Sequence, residues 1–214
     1  MNRVLPSLRF SLFPIALLSG LGLAACGHTT RALRDVDLVW SGYSSPEAIK
    51  PGLTKWIDAK IAVVPFTDRR TDPATIGQYA EDGIEPRVVT TRTDVASFCT
   101  ANFAKELGMH GLTVVGAAPS VTIGGEVLQF SVAEAATYHA NVSFKVVAKD
   151  PQGAVLWEGI ASGTANRWGR SYSEENFMEA LTSAFDDAVN KMLEQPSFAG
   201  ALGGTAGGAI PAAK

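Results

Sequence analysis

The chain has 214 residues, 46% of them hydrophobic and 18% charged, which is enough apolar material for one sizeable core with appendages. Its formal charge is −3, and without residues 1–25, which hold Arg3 and Arg9 and no acid, it becomes −5. A mildly acidic chain with no Lys/Arg cluster speaks against nucleic-acid binding. Two cysteines and three scattered histidines (His28, His110, His139) give no close zinc spacing, so neither a metal nor a cofactor is expected.

Residues 1–25 open with Arg3 and Arg9 and continue as an apolar run from Phe10 to Leu23, interrupted by small residues and Pro14. The run is shorter than the roughly 20 residues a membrane span needs, so it reads as a signal-peptide core. It closes on Leu23-Ala24-Ala25-Cys26, the pattern of a bacterial lipobox. Cleavage between Ala25 and Cys26 makes Cys26 the first mature residue and the site of acylation. Burial of acyl chains is worth about 0.8 kcal/mol per methylene, enough for several chains to hold a soluble domain on a bilayer. The partner implied first is therefore the membrane, through acylated Cys26. By resemblance to lipoprotein sorting in enteric bacteria, Gly27, where an Asp would signal retention, implies the outer membrane with the domain facing the periplasm. Cys99, left alone, falls on the apolar side of an expected helix and reads as a buried hydrophobe.

Residues 26–58 are expected to be a tether followed by irregular structure, with a short alternating strand near 35–39. Residues 60–66 (Lys-Ile-Ala-Val-Val-Pro-Phe) form an apolar run that fits a strand buried on both faces, with Pro65 confining it to a strand end or edge. A polar loop follows, Asp68-Arg69-Arg70-Thr71-Asp72. Residues 87–91 offer another strand. Residues 93–108 predict a helix: Thr93 or Asp94 can cap it, Val95, Phe98, Cys99, Phe103 and Leu107 share a face, and Gly108 suits its end. Residues 112–115 read as a short strand.

The β signal is strongest over residues 121–149 and 154–168. Ala140, Val142, Phe144, Val146 and Ala148 alternate with polar residues, as in an antiparallel sheet covered on one side. Asp150-Pro151-Gln152-Gly153 is a turn. Within residues 121–132 the apolar parity changes, and Gly124-Gly125 suggests a bulge there. Residues 173–195 predict a second helix, capped by Ser173, with Phe177, Leu181, Phe185, Ala188 and Met192 in one stripe. The Gly/Ala-rich residues 196–214 are expected to be disordered. The fold class expected is α+β: a mixed, mostly antiparallel sheet with a three-strand meander and two helices packed on one face. The domain spans residues 59–195.

No Gly-x-Ser-x-Gly elbow, Walker loop or His-Glu-x-x-His occurs, so no catalytic residue is assigned. Glu126 and Glu134 share one strand and could be imagined as paired acids; exposed carboxylates are the commoner reading. The candidate partner-binding loop is Asp68, Arg69 and Arg70, whose arginines could take an anionic group. In the competing reading Asp68 bonds its own turn and Arg70 pairs with a nearby acid. Tyr138, Trp157, Trp168 and Tyr172 either line an apolar groove or staple the sheet to its helices, the second being the favoured reading.

The order of these features resembles the YajG-like family of bacterial lipoproteins. The shared pattern is a lipobox, a first strand ending near Asp68-Arg69-Arg70-Thr71, and a helix closing on Leu107-Gly108. It continues with Val127-Leu128-Gln129-Phe130, a strand pair turning at Gly153, and a helix carrying Asn176, Ala180, Leu181, Ala188 and Val189. The resemblance covers about residues 58–195 and implies a membrane-anchored α/β domain without an assigned activity. The expectation is a non-enzymatic envelope lipoprotein with a protein partner. The alternatives are an auxiliary subunit of a transport or assembly complex, or, less well supported, an envelope hydrolase.

Overall fold

The computed structural model describes residues 34–41, 53–80, 85–169 and 172–203; the lipobox and signal segment lie outside them. In chain order the elements are β1 (Arg34–Asp35), α1 (Thr54–Ile57), β2 (Lys60–Val63), β3 (Thr67–Asp68), β4 (Thr75–Tyr79) and β5 (Arg87–Thr90). Then come α2 (Val95–Met109), β6 (Thr113–Val114), β7 (Val121–Glu134), β8 (Thr137–Lys149) and β9 (Val155–Trp168). The described chain ends with α3 (Glu174–Leu193), α4 (Pro196–Gly200) and a 3-10 turn, Ala201–Gly203.

The alternating stretches form a β7–β8–β9 antiparallel meander. On its other side β7 is lined in turn by β2, β3 and β4, all parallel to it. The sheet continues from β4 through antiparallel β5 to parallel β1, and from β2 to parallel β6. The class is α+β, and most paired residues lie in the antiparallel ladders.

Tyr138, Ala140, Val142, Phe144, Val146 and Ala148 are all buried on one face of β8. Phe144 is the meeting point: its ring lies 5.0 Å from Phe185 of α3, 6.2 Å from Phe103 of α2 and 5.7 Å from Phe66. Both long helices therefore cover the same face. Burying one such side chain contributes about 1.5–3 kcal/mol, which is why two amphipathic helices settle there. Asp94 and Ser173 cap these helices, accepting from the backbone N–H of Ser97 and Asn176. At Gly163 a methyl group would strike the Ala184 carbonyl and the Ala188 backbone, so α3 sits directly on β9 there.

Five expectations are corrected. The bulge in β7 lies at Val127–Gln129, not at Gly124-Gly125, which pair regularly with Val147 and Val146. Those glycines instead make room for neighbours: a Cβ would meet Val64 at 2.7 Å from Gly124, and the Lys145 carbonyl at 2.6 Å and the Phe66 ring at 3.0 Å from Gly125. The strand at residues 60–63 is not covered on both faces, since Ala62 and Val63 are only partly buried and Val64 beyond it is 41% exposed. Helix α2 continues past Gly108, and Gly111 (φ 79°) takes the left-handed position.

The domain also extends beyond residues 59–195. Val36, Leu38, Leu53 and Trp56 are core residues, so the segment before 59 is partly built into the fold. At the other end, Pro196 opens α4 and Phe198 is fully buried, stacked 4.2 Å from Trp56 and edge-on to Trp157 at 5.1 Å. The Trp56 indole N–H donates to the Phe198 carbonyl at 3.0 Å. Order therefore reaches residue 203, and the rest of the expected tail lies outside the described residues.

Candidate functional site

Cys26 and Ala25, the residues with the clearest expected chemistry, lie outside the described residues. The first described strand, β1, begins eight positions after Cys26, at Arg34.

The loop after β3 is assembled by Arg70. Its Nε donates to both Asp68 carboxylate oxygens, and Nη2 donates to Asp68 Oδ2 at 2.7 Å and to the Pro73 carbonyl. Nη1 reaches the carbonyls of Thr75 at 2.8 Å and Phe130 at 3.4 Å. Asp68 also accepts from the backbone N–H of Arg70, and the two side chains are only 7% and 15% exposed. Asp72 continues the loop by accepting from Thr75 and Ala74; the Thr75 hydroxyl above all holds its carboxyl below the ordinary range. The arrangement is the one in which Asp68 bonds its own turn and Arg70 pairs with that acid. Arg69 points outward, 60% exposed, and bonds Glu126 at 3.3 Å. Of the three candidate partner-binding residues, Arg69 is the one that presents its charge to solvent.

Glu126 and Glu134 are not brought together. Between them the bulge shifts the strand's parity, so Val121, Ile123 and Val127 are buried before it and Phe130, Val132 and Glu134 after it. Glu126 therefore faces outward and Glu134, 3% exposed, faces inward.

A cluster that the sequence reading did not anticipate joins the two long helices. Glu106 and His110, one helical turn apart at the end of α2, meet Asp186 of α3, with their ligand atoms within 4.8 Å of one another. Glu106 and His110 are buried at 1% and 2% exposure, and Asp186 is half-buried. One imidazole and two carboxylates can hold a divalent cation or share a proton. The sequence offers only Glu-x-x-x-His on a helix as a cue, and Asp186 comes from a distant segment.

Cys99 is buried on α2 as expected, and burial pushes its thiol well above the usual value. Tyr138 and Trp157 are buried in the core and Tyr172 packs against it. Trp168, at the end of β9, is 72% exposed and departs from the stapling role. Its neighbour Arg167 bonds Asn176 at 2.8 Å and pairs with Glu179 of α3.

No family model matches the chain. No curated protein matches it either. Among solved structures, protein XCC0632 of Xanthomonas campestris (family model DUF330) is similar at 10% identity and a TM-score of 0.48, over 79% of this chain and 96% of that one. PelC of Paraburkholderia phytofirmans, solved as a dodecamer, shares 18% identity with a TM-score of 0.35, over 67% and 93% of the two chains. Lipoprotein GNA1162 of Neisseria meningitidis shares 16% identity with a TM-score of 0.34, over 54% and 87%. All three scores are below 0.5, so no functional conclusion follows from them.

Proposed function

We propose that this chain is a bacterial envelope lipoprotein: acylated on Cys26, held at the periplasmic face of the outer membrane, and supporting a protein partner there without catalysing a reaction. The observation that carries this reading is Leu23-Ala24-Ala25-Cys26, closing an apolar run behind Arg3 and Arg9. A folded domain begins shortly afterwards, with β1 at Arg34. The YajG-like order of motifs across residues 58–195 belongs to the same reading. Two further points support a non-enzymatic role. No nucleophile motif is present, and acylation of Cys26 leaves only Cys99, whose buried thiol is poorly suited to attack.

Metabolic labelling with an alkyne fatty acid tests the anchor. The wild-type chain takes up the label and Cys26→Ala does not; an unlabelled wild type contradicts the anchor. Crosslinking in intact cells tests the partner. One protein should be captured repeatedly, and its consistent absence would overturn the supporting role.

A further inference from the structure

We infer that Glu106, His110 and Asp186 form a binding site for a divalent transition-metal ion of the zinc class, which ties the end of α2 to α3. The site stands apart from the proposed anchor, since every residue in it belongs to the folded domain.

The backbone places two of the ligands. Glu106 and His110 are four residues apart, and the His110 N–H donates to the Glu106 carbonyl at 3.0 Å, so the last turn stays closed between them. Side chains at this spacing share one face of a helix and can reach a single ion. Gly111, at φ 79°, turns the chain just after His110. On α3 the two adjacent acids part ways. Asp187 accepts from the Thr164 backbone N–H and from Lys191, whereas Asp186 meets the α2 pair.

The charges call for a cation. Both carboxylates lie at the carboxy-terminal end of α2, where the helix dipole is negative. The last turn of α2 carries no Lys or Arg of its own. Within the triad an imidazolium would offset one of the two negative charges; a divalent ion beside a neutral imidazole offsets both. Glu106 and His110 are almost wholly buried, and charge so far from water is costly unless it is compensated. Asn190 follows Asp186 by one turn on the same face of α3. Its buried Oδ1 finds no hydrogen-bond partner among the described residues, which leaves an open acceptor on that face.

The donor set selects the ion. Calcium and magnesium take oxygen ligands throughout, whereas an imidazole with two carboxylates matches zinc and similar ions. Three protein ligands leave a fourth position for water. A tetrahedral ion with bonds of about 2.1 Å spaces its ligands about 3.4 Å apart. The three donor atoms lie within 4.8 Å of one another, so the widest pair closes by at most about 1.4 Å. Rotation of the Glu106 and Asp186 side chains covers that distance. Cysteine and histidine spacing does not show such a site, because two of its ligands are carboxylates on separate helices.

The test uses the full chain, without a metal-binding affinity tag, stripped with a chelator and titrated with zinc. The expected result is one zinc per chain and an unfolding midpoint that rises with zinc but not with calcium or magnesium. Cobalt loaded in place of zinc should give visible d–d absorption. Asp186→Asn and Glu106→Gln preserve side-chain size. Each should weaken zinc binding by roughly tenfold or more, as loss of even an outer-shell partner does, at unchanged circular dichroism. A wild-type chain that binds no stoichiometric zinc overturns the site, and the triad is then a proton-sharing contact between helices. Zinc binding that both variants retain in full also overturns it, because the ion then sits elsewhere. A midpoint raised equally by calcium overturns the choice of ion.

Discussion

Arg70 grips Asp68 through two of its nitrogens, with a shortest contact of 2.7 Å, and extends the same guanidinium to three backbone carbonyls. That fork ties the loop after β3 to the first residue of β4 and to Phe130 of β7. Both side chains are largely removed from water, so deleting one partner leaves the other uncompensated. Arg70→Ala is expected to destabilise the domain by about 3–5 kcal/mol in urea unfolding. Arg70→Lys should recover little, because an ammonium lacks the planar fork. The double variant Asp68→Ala/Arg70→Ala should be more stable than Arg70→Ala alone. Equal stability of wild type and Arg70→Ala would contradict the clamp.

The contact between α3 and β9 depends on the missing side chain of Gly163. A Cβ there would strike helix backbone, which cannot swing aside as a side-chain tip can. Gly163→Ala is expected to cost about 1–3 kcal/mol as overpacking, measured by thermal or urea unfolding. Gly153→Ala tests a different cause: nothing lies within 4 Å of the added carbon, and any loss reflects only its φ of 86°.

Phe198 closes the far end of the core between Trp56 and Trp157. Phe198→Ala should cost about 3–5 kcal/mol, and a chain ending at Gln195 should lose at least as much.

Asp94 gives the stability a defined acid dependence. Its carboxylate accepts from the Ser97 backbone N–H at 2.6 Å, and hydrogen bonding to Ser97 holds its pKa below the ordinary value of 3.8. A carboxyl depressed in the folded state contributes fully above the unfolded value, and the contribution fades as pH falls through the folded one. Asp94→Ala should therefore cost about 1 kcal/mol at pH 7. The gap from wild type should narrow progressively below about pH 4. A gap that stays constant to lower pH would show that the carboxylate charge is not what caps α2.

The elements legible in the sequence are those whose side chains repeat. The meander, both long helices and their caps follow from alternation in Ala140–Ala148, from the Phe177–Met192 stripe, and from Asp94 and Ser173. β4 was missed because its register shifts between Thr75 and Gly77, which breaks the alternation that buries Ile76 and Tyr79. Gly124-Gly125 misled because glycine marks both bulges and tight contacts, and here the cause is the neighbouring Val64 and Phe66. Phe198 stood alone in a Gly/Ala-rich stretch, so its burial had no periodic signal. At the candidate loop both roles of Arg70 were visible in its residue type, but the choice needed the carbonyls of Pro73, Thr75 and Phe130. The Glu106–His110–Asp186 cluster needed the packing of α2 against α3, which no local pattern encodes.

Mass spectrometry of the amino-terminal peptide from the mature protein, purified from membranes, tests the lipid anchor most directly. The account predicts a peptide beginning at Cys26 and carrying acyl chains, with residues 1–25 absent. A mature amino terminus at any other residue, or Cys26 with a free thiol and no lipid, would contradict it.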